Sequence, residues 1–225
     1  LNEAYPHIPV LSEESDAISF AERGVWTRYF LVDPLDGTKE FISRNGEFTV
    51  NIALIDGGVP VQGVVYVPVK DVLYTGDSVA MPRATVSRNG QEKQIHVRAM
   101  ARVLEDQEPL IVVASRRHGG DALQACISEL DKHFPVIEMT NMGSSLKLCL
   151  IAEGLADLYP RLAPTSEWDT AAAQAVVDAA GGQVVDVGLS PLRYNSKESL
   201  LNPFFYVLGD QSFDWHSILK AVRVQ

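Results

Sequence analysis

The sequence predicts an α+β fold, with an antiparallel-sheet half over residues 1–105 and an α/β half over residues 106–225. Three observations carry that expectation. Residues 48–75 are dense in β-branched side chains and hold a hairpin signal, Asp56-Gly57-Gly58. After residue 109, short apolar runs alternate with helix-length segments. Of the 225 residues, 46% are hydrophobic, which supports one large core or two small ones.

Tyr29-Phe30-Leu31-Val32 reads as a buried strand ending at Asp33, followed by a short helix over residues 37–44 opened by Thr38. Residues 48–55 and 59–67 are paired strands, and Val72-Leu73-Tyr74-Thr75 adds another. Residues 82–94 are polar, with Asn89-Gly90 as a turn, and residues 99–109 read as a charged connector between the halves. Strands over 110–114, 136–139, 157–159 and 183–187 then alternate with helices over 121–133, 144–154 and 168–180. The last of these helices is Ala-rich and stopped by Gly181-Gly182. A strand at 205–208 and a helix over 212–222 complete the reading.

A formal charge of −10 opposes nucleic acid and anionic membranes as partners, because both need a positive field. No apolar run reaches about eighteen residues and the first residues lack signal-peptide character. The expected location is the cytoplasm, with peripheral attachment at the inner membrane left open. Cys126 and Cys149 lie in apolar helical stretches without metal-ligand spacing and are expected to be buried, reduced thiols.

The chemistry concentrates in Asp33-Pro34-Leu35-Asp36-Gly37-Thr38. Two carboxylates stand three residues apart, a proline fixes φ between them and a glycine permits an unusual turn, so both acids can aim at one point. Mg²⁺ prefers carboxylate, carbonyl and water oxygens, which makes the Leu35 carbonyl a further ligand candidate. Gly37 and Thr38 open a helix whose free N–H groups suit a phosphate oxygen. Each acidic element also has a plainer explanation. Asp36-Gly37 can be an ordinary turn, Glu13-Glu14 a solvated acidic surface, and Asp169 an acid in a first helical turn. The three together are more specific than any one.

Ser12-Glu13-Glu14, the Asp33 to Thr38 run, and Trp168-Asp169-Thr170-Ala171-Ala172 followed by Gly181-Gly182 closely resemble the three signatures of the inositol-monophosphatase-like, lithium-sensitive phosphatases. The resemblance spans nearly the whole chain. Within that family, Gly37-Thr38-Lys39-Glu40-Phe41 and Gly143-Ser144-Ser145-Leu146-Lys147 are similar to the bacterial 3′(2′),5′-bisphosphate nucleotidases of sulfur assimilation. The resemblance implies a sugar-phosphatase-like layered sandwich and two or more Mg²⁺ ions. Glu13, Asp33 and the Leu35 carbonyl would hold one ion, and Asp33, Asp36 and Asp169 a second. Glu13 and Thr38 would orient and deprotonate the attacking water, with no phosphoenzyme formed. The implied substrate is a small phosphorylated nucleotide, adenosine 3′,5′-bisphosphate, converted to AMP and phosphate by a monomer or homodimer. Its contacts would be Asp36, Gly37, Thr38 and Asp169 around the phosphate, and Ser115 and His118 at the nucleoside. Gly143, Ser144, Ser145 and Lys147 would meet the ribose or second phosphate, and Arg161 the 5′-phosphate. Family members also carry two long helices and a Thr-x-x-Asp-type element before the Glu-Glu motif. Roughly fifty residues are expected to be missing here by that analogy, leaving apolar sheet surface without its cover.

An inositol or other sugar phosphate hydrolase of the same family is the nearest alternative, and a non-catalytic nucleotide or metal sensor is one of a different class. Haloacid-dehalogenase chemistry needs an Asp-x-Asp nucleophile motif, whereas Asp33 and Asp36 are separated by Pro34 and Leu35.

Overall fold

Two sheets with helices packed between and beyond them organise the chain, and the structure, a computed structural model, describes residues 1–79, 81–114 and 120–222. The first sheet runs in chain order: β1 (Val10–Ser12), β2 (Arg28–Asp36), β3 (Thr49–Asp56), β4 (Val59–Val67), β5 (Val72–Asp77), β6 (Arg83–Arg88) and β7 (Gln91–Ile95). All its pairings are antiparallel except β1 with β2, which is parallel. Short helices α1 (Phe20–Arg23) and α2 (Thr38–Ile42) flank β2.

The rest of the chain contributes α3 (Met100–Glu105), β8 (Leu110–Ala114), α4 (Asp121–Leu130), β9 (Ile137–Asn141), α5 (Leu146–Ala152) and β10 (Leu158–Arg161). It continues with α6 (Glu167–Ala179), β11 (Gln183–Asp186), β12 (Phe205–Leu208) and α7 (Trp215–Leu219). Its five strands form a mixed sheet in the order β11-β12-β10-β8-β9.

Three expectations about elements change. Residues 82–94 form the β6–β7 hairpin around Asn89-Gly90 rather than an irregular polar stretch. Their polarity hid them because β7 is an edge strand whose Gln91, Glu92, Lys93 and Gln94 all face solvent, as edges that avoid aggregation do. The charged connector contains α3, whose Met100 and Val103 are fully buried. Finally, β2 does not stop at Asp33: its pairing with β3 slips between Asp33 and Asp36 and resumes at Asp36 opposite Thr49. Pro34 cannot donate to the ladder, so the strand bulges through the motif instead of ending there.

Helices α5 and α6 fill the space between the sheets. In α6, Ala171, Ala172, Ala173, Ala175, Val176, Val177 and Ala179 are all buried, the signature of a helix covered on most sides. Its small side chains let its backbone lie directly on the first sheet at two glycines. A Cβ on Gly63 would fall 2.1 Å from the Ala172 carbonyl oxygen, and one on Gly76 would fall 2.5 Å from that of Ala175. The second sheet alternates strictly: Val113, Phe205 and Val207 face this inner core, while Leu110, Val112, Tyr206 and Leu208 face a second core closed by α3, α4 and α7. Cys126 and Cys149 are buried free thiols, and burial pushes the Cys126 thiol up to about 12.

On the outer face of the first sheet, Val50, Ile52, Leu54, Val64, Tyr66 and Leu73 are only half-buried, alternating with the buried inward positions. Among the described residues, no helix is long and apolar enough to cross a membrane.

Gly76→Ala should lower the midpoint of urea unfolding by an amount equivalent to about 2 kcal/mol or more, because overpacking here meets backbone rather than a movable side chain. An unchanged midpoint would mean that α6 is not seated on β5 as described. A second expectation concerns Asp178, which burial raises to about 7 while the Gln174 amide, 3.4 Å away, pulls it down. Its folded pKa exceeds its unfolded one, so its contribution is full at low pH and is lost as pH rises from about 4 through about 7. Thermal unfolding should therefore show Asp178→Asn gaining more on wild type at about pH 8 than at about pH 5.

Candidate active site

The parallel pairing of β1 with β2 sets Ser12 opposite Val32, and the Glu13 N–H continues it by donating to the Val32 carbonyl at 3.2 Å. Glu13 thus emerges beside Asp33. Within the bulge, Asp33 Oδ1 accepts the Leu35 N–H at 2.9 Å, an Asx-type turn that Pro34 favours. Asp169 arrives from α6. There the Ser166 side chain accepts the N–H of residue 169, and the Asp169 carboxylate accepts the Ser166 N–H at 2.8 Å, a reciprocal capping box.

Glu13, Asp33 and Asp169 each present an oxygen within 4.8 Å of the others. Burial, then the Asp36 charge, raise Asp33 to about 8 against the pull of the Leu35 N–H. Burial and the Asp36 charge likewise raise Asp169 to about 7. Among the described residues, Asp33 Oδ2 is buried with no hydrogen-bond partner. An orphaned carboxylate oxygen at the focus of three acids is a poor arrangement for a bare protein and a good one for a hard divalent cation. The donor set therefore fits a metal.

Asp36 stands beside this trio. Its Oδ2 accepts the Ser145 N–H at 2.6 Å and the side chains of Thr49 and Asn51, each at 3.3 Å. Burial still raises its pKa, with the Ser145 N–H and the Lys147 charge opposing. Gly37 caps α2 in the left-handed region and Thr38 is exposed at the first turn.

A small cleft lined by Asp36, Ser144, Lys147, Tyr159, Arg161 and Asp169 opens next to the carboxylates. Ser144 is held at φ 44, a strained conformation for a residue with a Cβ, and its hydroxyl is buried without a partner. Arg161 Nε is also buried and unpaired, while its Nη2 donates to the Pro164 carbonyl at 2.9 Å. Lys147 is largely buried, donates to the Ser144 carbonyl at 3.0 Å and lies 5.8 Å from the Tyr159 ring centroid. Burial lowers its pKa, and the Asp36 charge resists that change. Unpaired donors and buried cations facing a polar cleft provide a seat for an anion. A larger cavity of ≈ 490 Å³, lined by Gln62, Thr75, Met81 and Arg83 among others, contains none of these groups.

Gly143 is pressed between two acids. A Cβ there would fall 2.6 Å from Glu40 Cγ and 2.9 Å from Glu47 Cβ, and its N–H donates to Glu47 Oε2 at 2.7 Å. Ser145, expected at the substrate, lines the same cleft, and its hydroxyl meets Thr49 Oγ1 at 2.9 Å and Asn51 Oδ1 at 3.0 Å. Ser115 and His118 lie outside the described residues. Thr49 and Asn51 escaped the sequence reading, although a signal existed. They occupy inward positions of a period-two strand, in line with Ala53 and Ile55, where a polar side chain needs a partner.

A model of the inositol monophosphatase family matches residues 1–214. The chain is 52% identical over 202 residues to the 3′(2′),5′-bisphosphate nucleotidase CysQ of Escherichia coli (strain K12), covering 90% of this chain and 76% of that protein. It is 38% identical over 222 residues to the identically named protein of Haemophilus influenzae, covering 98% and 78%. The crystal structure of CysQ from Bacteroides thetaiotaomicron, a bacterial member of the inositol monophosphatase family, aligns with a TM-score of 0.78 at 45% identity, covering 91% and 78%. An IMPase of Thermotoga maritima, 20% identical with a TM-score of 0.70, shares the fold.

Because Asp33 Oδ2 lacks a partner, Asp33→Asn should leave the cation-free protein as stable as wild type or more so in thermal unfolding. It should also remove the stabilisation that a divalent cation confers on wild type, about 2.7 kcal/mol at a hundredfold excess over Kd. A cation response of wild-type size in this variant would contradict the metal assignment.

Proposed function

Since the chain belongs to the inositol monophosphatase family, we infer that it is a metal-dependent phosphomonoesterase converting adenosine 3′,5′-bisphosphate to AMP and inorganic phosphate. One observation carries the reading. Among the described residues, Asp33 Oδ2 is a buried acceptor without a partner in an acidic trio whose Asp169 lines the cleft, and two further residues of that cleft, Ser144 and Arg161, carry buried donors without partners, Oγ and Nε. A cation satisfies the first and a phosphate the others. The nucleotide rather than an inositol phosphate is supported by the names of the relatives at 52% and 38% identity.

The all-oxygen donor set suits Mg²⁺, with two or more ions held by Glu13, Asp33, the Leu35 carbonyl, Asp36 and Asp169. Bound there, the metal neutralises phosphate charge and makes water a better nucleophile at neutral pH. Glu13 and Thr38 orient that water, and the Glu13 carboxylate takes its proton as the water oxygen bonds to phosphorus. The bond from phosphorus to the ribose 3′ oxygen breaks, and that oxygen acquires a proton from solvent. Gly37 and Thr38 at the start of α2 face the reacting phosphate. Ser144, Lys147 and Arg161 hold the remaining anionic part of the nucleotide, with Gly143 keeping their segment close to α2. Residues 1–105 thus supply most metal ligands, and residues 106–225 complete the site with Asp169 and the anion-binding groups.

Phosphate release from a panel of bisphosphorylated nucleosides and inositol phosphates, with and without Mg²⁺, should favour adenosine 3′,5′-bisphosphate and require the metal. Faster release from inositol monophosphate would move the chain to the sugar-phosphate branch, and a trapped phosphoaspartate would exclude a water nucleophile. Asp169→Asn should reduce turnover at least about 100-fold, the upper end of what a metal's outer-shell partners cost, with an unchanged circular dichroism spectrum.

A further inference from the structure

Asp36 differs from the other acids in how its oxygens are used. All three of its described hydrogen bonds fall on Oδ2, from the Ser145 N–H, Thr49 Oγ1 and Asn51 Nδ2. Thr49, Asn51 and Ser145 are each at most 2% exposed, so water does not compete for these groups. The donors are also tied to one another, because Ser145 Oγ lies 2.9 Å from Thr49 Oγ1 and 3.0 Å from Asn51 Oδ1.

Proton bookkeeping limits this network to one fully satisfied arrangement. Asn51 must turn its amide nitrogen to Asp36, which leaves its carbonyl oxygen to accept from the Ser145 hydroxyl at 3.0 Å. With the Ser145 proton committed, the Thr49 hydroxyl is the donor and points at Asp36 and at Ser145 Oγ. The Ser145 N–H, the Asn51 amide and the Thr49 hydroxyl thus donate toward Asp36, while the Ser145 hydroxyl braces the Asn51 carbonyl oxygen. A carboxylate oxygen receiving three such donors is unable to rotate, and only Oδ1 remains for a cation.

We propose that Thr49, Asn51 and Ser145 are positioning residues that lock Asp36 to offer the metal one oxygen in one direction. Ser145 also makes the substrate-binding segment and the metal carboxylate one mechanical unit. It follows Gly143 and Ser144 directly and joins them to β3 on the other half of the chain. The proposal rests on the metal reading given above. It adds three residues that act on the cation through Asp36, two of them on a strand with no motif of its own.

The test is equilibrium binding of Mn²⁺, an oxygen-seeking probe ion, to the full chain, with the free ion followed by electron paramagnetic resonance. Thr49→Val keeps the shape and removes the donor, and Ser145→Ala removes the hydroxyl. Each should weaken binding about tenfold or more, whereas Thr49→Ser should bind within about threefold of wild type. Because the cage acts through Asp36, adding Thr49→Val to Asp36→Asn should cost little beyond Asp36→Asn alone, a non-additivity that general loosening of the core would not produce. Wild-type affinity in Thr49→Val and Ser145→Ala overturns this inference while leaving the metal site standing. So does an undiminished loss from Thr49→Val in the Asp36→Asn background. No binding by the wild-type chain overturns both this inference and the proposed function. Urea unfolding midpoints measured alongside show whether each variant is folded, and Thr49→Ser supplies the comparison if Thr49→Val is not.

Discussion

The seating of α6 against the first sheet is the contact on which the rest of the structure depends. Gly63 and Gly76 leave no side chain beneath it, and its own alanines let backbone meet backbone. Its first turn is pinned separately. The Glu167 N–H donates to the Leu200 carbonyl at 2.8 Å, and the buried Glu167 carboxylate accepts the Asn195 N–H at 2.8 Å. A helix fixed in height by glycines and in register by its N-terminus has little freedom, and Asp169 in that turn inherits the constraint. The carboxylate of Asp169 then meets Glu13 and Asp33 because β1 and β2 run parallel and β1 ends where β2 enters its bulge, opposite Val32.

Electrostatics turns this geometry into a site. A chain carrying a formal charge of −10 gathers several of its carboxylates at one point, and burial, then the charge of Asp36, raise Asp33 and Asp169 far above the usual carboxylate range. Lys147 and Arg161 provide the opposite sign immediately beside them, within the same cleft. The adjacency is what allows an acidic protein to handle a phosphate: the overall field disfavours anions, and the local one reverses it. Strain is stored in the same place, at Ser144, which lines the cleft with a left-handed backbone and, among the described residues, a buried hydroxyl without a partner.

Much of the fold was legible where periodicity and burial agree. The strands at residues 49–56 and 59–67 and the Ala-rich helix match their sequence patterns within a residue or two at each end. Legibility failed where tertiary context changes what a pattern means. The β6–β7 hairpin reads as a polar loop because a sheet edge tolerates polar side chains, and α3 reads as a connector although Met100 and Val103 fill the second core. In the candidate site, the acids announce themselves as short motifs, while Thr49 and Asn51 signal only that polar side chains at inward strand positions need a partner, not which partner they meet. Ser145 shows the limit from the other side. Its motif is visible, yet the direction of its side chain is decided by β3, about a hundred residues away in the chain.

By itself the sequence determined which chemical groups exist and their local geometry. Pro34 bends the strand through Asp33 and Asp36, Ser166 and Asp169 cap a helix, and the apolar periods draw the elements. These are interactions among residues a few positions apart, and they need no knowledge of the rest of the molecule. The tertiary structure alone decided that Glu13, Asp33 and Asp169 converge while Asp36 is held aside by Thr49, Asn51 and Ser145. Those distances depend on how two sheets clasp one helix, a matter of packing volume and buried hydrogen bonds between segments far apart in the chain.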